Sequence, residues 1–226
     1  MLVPKLNHAW DLDEAAAICL QSELARQVVV EDRLPSTVHF VCGVDVAYDT
    51  TSNQLIAAAV VLEADSREIH ETATARGVSQ FPYKRGLFSF RELPPLCQAL
   101  SRLAVTPDLI VCDGHGLAHP RRFGLACHLG VLYDIPTIGC GKTWLIGEFA
   151  ELSRQRGAMV DLVDHGEVIG RAVRTQDDVR PVFVSVGHRI SLDLACHWVL
   201  RLAPKYRLPE TTRQANRCVN ILRAST

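Results

Sequence analysis

The chain has 226 residues, enough for one medium domain with a substantial core. With 48% apolar and 22% charged residues it reads as an ordinary soluble globular protein, and no run approaches the roughly 18 apolar residues of a membrane span. A net charge of −1 excludes a generic polyanion binder, so any nucleic-acid contact has to be local.

The opening "MLVPKLNHAWDLDEA" lacks the basic start and apolar core of a signal peptide. Eight cysteines are scattered without a CxxC pair, and most lie in apolar segments. They read as small buried hydrophobes in a reducing cytoplasm rather than as zinc ligands or disulfides. The charge is segregated: residues 11–32 carry six acids against Arg26, and residues 201–226 carry six bases against Glu210. A solvated basic tail and a phosphate contact both fit that C-terminal pattern.

No repeat, low-complexity tract or flexible linker interrupts the chain, so a single domain over 1–226 is expected. Within it, a helix at about 11–32 would precede a core at about 36–217. Leu12, Ala16, Leu20, Leu24 and Val28 recur every four residues and predict the first helix. Three strand-like runs follow, "VHFVCGVDVAY", "LIAAAVVLE" and "EIHETATAR". The second is apolar almost throughout, as a strand covered on both faces would be.

The turn-rich "QFPYKRGLFSFRELPPL" leads into a helix through Cys97, Leu100 and Leu103. "DLIVCD" is a short buried strand ending on an acid. Pro120 can open a helix whose apolar face holds Phe123, Ala126, Cys127, Gly130 and Val131. "IPTIGC", "EVIGRAVRT" and "PVFVSVG" are further strands. Ser191 caps a last helix carrying Leu192, Ala195, Cys196, Val199 and Ala203, stopped by Pro204. Strands first, then strands alternating with helices, argue for an α/β mixed sheet with helices packed on it.

The acids carry the strongest chemical signal. Asp45 interrupts an apolar strand, Glu92 stands near a helix start, and Asp113 ends a strand ahead of a glycine. If the three converge, only a cation relieves their repulsion, and oxygen ligands suit Mg²⁺ or Mn²⁺. If they do not, each is a capping or hydrogen-bonded acid. Lys142 is either a surface lysine or a cation facing Asp113. "GCGKT" resembles the end of a phosphate loop, but that pattern needs glycine where Pro136 stands. His115 and His119 have the spacing of a zinc helix, which Gly114, Gly116 and Pro120 make unfavourable. No GxSxG occurs. His188, at a strand-to-helix turn, reads as a structural histidine.

Taken together, "EDRL", "GVDVAY", "FPYKRGLFSFRE", "PDLIVCDGHGLAHPRRFGLACHLGVLYDIPTIG", "GKTWL", "VSVGHRISLDLA" and "YRLPETTRQAN" resemble the endonuclease V family, in family order, over about residues 31–217. The resemblance implies a ribonuclease-H-like fold, a mixed sheet flanked by helices. It implies a Mg²⁺-dependent DNA-repair endonuclease, with Mn²⁺ able to substitute. Such an enzyme recognises deoxyinosine in DNA and cuts the second phosphodiester bond 3′ to it, leaving 3′-hydroxyl and 5′-phosphate ends. Inosine-containing RNA is the alternative substrate, and a lesion-binding protein without cleavage is the rival of another class. A cytoplasmic monomer is expected.

By the same resemblance Asp45 and Asp113 hold the metal, Glu92 completes the cluster through water, and Lys142 stands near the reacting phosphate. Gly86, Gly114, Gly116 and Gly124 line a pocket for an extruded base with their backbones, and His119 is a pocket histidine. Arg121 and Arg122 grip phosphates beside the lesion, and Pro82 and Tyr83 form a wedge that fills the vacated stack. Lys84, Arg85 and Arg91 are weaker candidates for the DNA backbone. Two departures stand out. The wedge reads Pro-Tyr-Lys-Arg where the family usually has Pro-Tyr-Ile-Pro, so added phosphate attraction is expected. Asn216 replaces a usual Asp or His, so weaker metal affinity is expected.

Overall fold

A computed structural model describes residues 2–48 and 53–224. Eight strands form one mixed sheet in the order β3-β2-β1-β4-β5-β8-β7-β6. They are β1 (Phe40–Tyr48), β2 (Gln54–Glu63), β3 (Ile69–Val78), β4 (Leu109–Cys112), β5 (Thr137–Gly141), β6 (Met159–Asp164), β7 (Glu167–Val173) and β8 (Val182–His188). β1, β4 and β5 run parallel, and the remaining pairings are antiparallel. Helices α1 (Glu14–Leu24), α2 (Phe88–Leu100), α3 (Leu125–Tyr133), α4 (Leu192–Leu202) and α5 (Glu210–Ala224) flank it. The mixed, helix-flanked sheet implied by the sequence is therefore present.

Side-chain alternation along β1 explains how the two faces are covered. Cys42 and Val44 join a core with Leu93 and Leu96 of α2 and Ala126 and Leu129 of α3. Val41 points the other way, into a core with Ala195 and Val199 of α4 and Ala215 of α5. β2, expected to be covered on both faces, is buried from Leu55 to Leu62. Ser191 caps α4 as its sequence predicts, its side chain accepting from the Leu194 N–H at 3.2 Å.

Several boundaries depart from the sequence reading. α1 ends at Leu24 and continues as one 3₁₀ turn, and it buries Ala17, Gln21 and Leu24 while Ala16 is exposed. α2 starts at Phe88 and runs through Pro94 and Pro95, because its buried residues on both sides of the prolines hold it to the sheet. α3 begins at Leu125 behind Gly124, not at Pro120, since Arg122 takes a left-handed φ of 52°. β6 and α5 have no counterpart in the pattern reading. α5 buries Thr211, Thr212, Ala215 and Val219 and packs Cys218 and Leu222 beside them, a narrow apolar seam that opens on two threonines.

α5 reaches the sheet because Gly43 has no side chain. A Cβ there would strike the backbone carbonyl of Thr211. Val41, Gly43 and Asp45 share one face of β1, so the contact at Gly43 also sets α5 over Asp45. Gly43→Ala is expected to lower the unfolding midpoint by roughly 2–12 °C, from about 1–3 kcal/mol of overpacking. Gly77→Ala is the control, since its Cβ would meet only Pro95 Cβ at an ordinary 3.5 Å. Equal losses in the two variants, measured by calorimetry, would contradict this account of α5 docking.

Candidate active site

Parallel pairing of β1 with β4 sets Val44 beside Cys112, so the next residues, Asp45 and Asp113, leave the same sheet end side by side. The Asp113 N–H reaches the Val44 carbonyl at 3.4 Å. Asp45 lies on the α5 face, and its carboxylate accepts from Asn216 Nδ2 at 2.8 Å and from the Val46 N–H at 2.9 Å. Glu92 arrives from α2 on the opposite face, where Tyr48 donates its hydroxyl to Oε1 at 2.6 Å. Lys142, in the loop after β5, forms an ion pair with Asp113. The open question over Lys142 is thereby decided in favour of the cation facing Asp113.

Electrostatics show how near these groups stand to one another. Burial, then the Asp113 charge, pushes the Asp45 pKa up to about 6. Burial also pushes Glu92 up to about 7, with Asp45 and Asp113 adding repulsion against the Tyr48 hydrogen bond. Burial alone would lower Lys142, but its bond to Asp113 and the charges of Asp113 and Asp45 together raise it. Yet among the described residues no three His, Cys, Asp or Glu side chains close into a ready ion cage. The reason is that each carboxylate is turned to a different partner: Asp45 to Asn216, Glu92 to Tyr48, Asp113 to Lys142. The donor chemistry, three hard carboxylates in mutual repulsion, still fits a hard dication.

A cavity of about 250 Å³ opens directly beside this cluster and shares Asp113 and Glu92 as lining residues. Gly86, Gly114, Gly124 and His119 also line it, as the sequence implied. Gly86 has a φ of +79°, which only glycine adopts without strain, and its carbonyl is the anchor of the wall. Gln21 Nε2 donates to that carbonyl at 3.0 Å, His119 Nε2 at 3.0 Å and Arg121 Nη2 at 2.7 Å. His119 Nδ1 accepts from the Arg121 N–H at 3.2 Å, so the ring is neutral. Burial, then the Arg121 charge, lowers its pKa to about 4.

The remaining candidates separate into three groups. Tyr83 is 66% exposed and stands edge-on to Phe88, whose ring lines the cavity, with Pro82 exposed beside it. Lys84 pairs with Glu14 at 2.8 Å, and Arg85 donates to the Leu145 carbonyl at 3.2 Å. Glu14 thus offsets the charge of Lys84, so the phosphate attraction expected of it is reduced, whereas Arg85 is positioned by a carbonyl and keeps its charge. Arg121 also donates to Gln21 Oε1 at 2.5 Å, and Arg122 pairs with Asp164 at 2.9 Å and Glu167 at 2.7 Å. These two arginines brace the cavity wall and the β6–β7 hairpin, and neither side chain stands free.

Two expectations are corrected. Arg91 is buried, donating to the Phe81 carbonyl at 2.5 Å and lying over the Tyr48 ring, so it supports the loop and cannot touch a DNA backbone. Gly116 does not line the cavity: its N–H donates to Ser185 Oγ at 2.8 Å and a Cβ would strike the Val186 carbonyl. It serves close packing against β8. Asn216, by contrast, stands at the cluster as its pattern position implied. His188 is structural, accepting from the Val29 N–H at 3.2 Å.

Sequence reasoning missed Gln21, Tyr48, Phe88, Ser89, His115, Leu125 and Leu145 as parts of the site. Gln21 had a signal: it is the polar member of the buried set Ala17, Gln21, Leu24 at helical spacing. Leu125 and Leu145 look like any core leucine, and nothing in their pattern distinguishes them.

Comparison with known proteins agrees with this geometry. A family model for endonuclease V matches residues 22–217. The chain is 52% identical over 212 residues to the endonuclease V of Nocardia farcinica, covering 93% of each. It superposes on the crystal structure of endonuclease V from Streptomyces avermitilis with a TM-score of 0.91 and 45% identity, covering 98% of both chains. A second structure, endonuclease V of Ciona intestinalis bound to a 24mer DNA containing an inosine followed by a ribo-adenosine, gives a TM-score of 0.83 at 28% identity. There the match covers 94% of this chain and 99% of that one. With such agreement along its whole length, this chain belongs to the endonuclease V family.

Proposed function

We propose that this endonuclease recognises deoxyinosine in DNA and hydrolyses the second phosphodiester bond on its 3′ side, leaving 3′-hydroxyl and 5′-phosphate ends. The observation that carries this reading is the sharing of Asp113 and Glu92 between the acid cluster and the neighbouring cavity. A base drawn out of the stack needs a wall of backbone groups and a phosphate-cutting centre within one or two nucleotides of it. The relatives support the substrate class, since the Ciona structure holds inosine-containing DNA.

Asp45 and Asp113 would hold a divalent ion, Mg²⁺ with Mn²⁺ as a substitute, and Glu92 would reach it through water. When bound, such an ion supplies charge stabilisation at the scissile phosphate and a water of lowered pKa. The chain's own groups do the remaining work. Lys142 neutralises Asp113 and places a second positive charge where phosphate charge develops. Neutral His119 and the Gln21 amide hold the Gly86 backbone in place, so the cavity keeps its shape while a base enters. Tyr83, exposed at the edge of that wall, can occupy the space left in the stack.

The decisive assay is nicking of a duplex with one deoxyinosine, with Mg²⁺ and with chelator, mapping the cut. A product at the second 3′ linkage, absent with chelator, is expected. A cut elsewhere or one indifferent to chelator overturns the reading. Matched DNA, RNA and single-ribonucleotide substrates place its preference among nucleic acids. Lys142→Ala is expected to slow nicking on the order of 10²-fold, read under single-turnover conditions; an unchanged rate removes Lys142 from the chemistry.

Asn216→Asp would set a fourth carboxylate beside Asp45 in place of the 2.8 Å amide donor. Its half-maximal Mg²⁺ concentration should fall, and an unchanged titration would show that Asn216 does not limit metal affinity. Stability without metal should respond to pH as well. Asp45 and Glu92 have folded-state values raised above the ordinary carboxylate 3.8 and 4.5. Stabilisation by their protonated forms is therefore complete below about pH 4 and is lost as pH rises through 6 to 7. In chelator at pH 8, Asp45→Asn should unfold several degrees higher than the native chain, from on the order of 2–3 kcal/mol. Below about pH 3.5, where the carboxyl is protonated in both states, the two should converge, and a variant that melts lower at pH 8 contradicts the assigned repulsion.

A further inference from the structure

A second cleft, of about 340 Å³, is lined by Lys142, whose ammonium pairs with Asp113 of the base cavity. The loop 142–145 divides the two: Leu145 lines the base cavity, whereas Lys142, Thr143 and Trp144 line the second cleft. Its charged lining otherwise consists of Arg174, Arg180 and Arg207 against one acid, Glu151.

What those arginines are bonded to decides the field of the cleft. Arg207 donates to the carbonyls of Arg180 at 2.9 Å, Lys142 at 2.5 Å and Pro181 at 2.8 Å. Arg174 donates to the carbonyls of Ser153 at 3.0 Å, Leu152 at 3.2 Å and Val179. A carbonyl fixes a guanidinium in place but leaves its full charge, unlike the carboxylates that neutralise Arg122 and Arg171. Arg180 is exposed. Burial, then the Arg180 charge, lowers the Arg207 pKa against the opposing charge of Asp113. Beside these cations Trp144 is 53% exposed, its ring backed by Phe149 at 5.4 Å and Phe183 at 5.5 Å. An aromatic plate, held from behind and flanked by cations with no carboxylate on them, suits a nucleic-acid strand.

We infer that this cleft binds the strand on the 3′ side of the incision, with phosphates on Arg180 and its neighbours and a nucleotide packed on Trp144. The direction follows from the layout and rests on the reading of deoxyinosine cleavage above. The lesion base occupies the cavity on one side of Asp113, and the bond to be cut lies 3′ of it, at Asp45, Asp113 and Lys142. The strand that continues past Lys142 then enters the second cleft. The same cleft would keep hold of the 5′-phosphate end after the nick.

The test uses the full chain in chelator with three deoxyinosine duplexes: one long on both sides, one whose lesion strand ends at the incision, and one trimmed close to the lesion on the 5′ side. Affinity is read by fluorescence anisotropy across salt. Arg180→Ala should weaken the long and the 5′-trimmed duplexes, lower the salt slope by about 1, and leave the 3′-trimmed duplex unaffected. Trp144→Ala should follow the same pattern with a loss between about fivefold and a hundredfold. Thermal melts of Arg180→Ala matching the native chain secure the comparison. Losses confined to the 5′ side, or equal on all three duplexes, or absent from all, overturn the assignment. A native chain that binds deoxyinosine and undamaged duplexes alike would instead overturn the lesion reading, whichever way the cleft variants behave.

Discussion

The constraint on which the site depends is the parallel register between β1 and β4. It sets two carboxylates, Asp45 and Asp113, side by side at one sheet end with burial on both sides. Like charges at such a place oppose folding, and the surrounding residues each answer part of that cost: Lys142 by charge, Asn216 and Tyr48 by hydrogen bonds. None cancels it, since Asp45 and Glu92 remain raised toward neutrality. A centre that favours an incoming dication is one that the fold alone leaves under electrostatic tension. The fold tolerates the tension because β1 and β2 are otherwise buried among apolar residues.

Around that centre, the arginines divide by the chemistry of their partners. Those bonded to carboxylates, Arg122 and Arg171, are neutralised and act as struts. Those bonded to backbone carbonyls, Arg121, Arg174 and Arg207, are positioned but still charged. The chain's net charge of −1 therefore conceals local positive fields beside the acid cluster. The basic C-terminal stretch divides in the same manner: Arg207 ties two loops together through carbonyls, whereas Arg201 pairs with Asp65 and Arg213 with Glu210.

Much of the fold was legible because local physics and tertiary context agree there. The unbroken apolar run of β2, the Ser191 cap and the acid at the end of "DLIVCD" each report a burial or a hydrogen bond made within a few residues. Where local preference met a stronger tertiary contact, the reading failed. Pro94 and Pro95 sit inside α2, and Pro120 opens no helix because Arg122 turns the chain. α5 escaped notice because its apolar seam of Ala215, Cys218, Val219 and Leu222 is narrow and opens on two threonines, and its approach at Gly43 leaves no side-chain signal. Gly116 and Arg91 show the same limit, since a packing glycine and a binding glycine are written alike, as are a buried and an exposed arginine.

The sequence by itself determined the residue types of the chemistry: acids at strand ends, a lysine after a strand, a glycine-rich stretch between them, and the motif order shared with endonuclease V. These were readable because each depends on side-chain identity and short-range spacing. Only the tertiary structure decided which groups meet. That Asn216 bonds Asp45 across 171 positions, that Gln21 supports the wall at Gly86, and that the loop 142–145 lines two clefts are matters of distance in space. Such distances are set by strand register and helix docking, which no local pattern records.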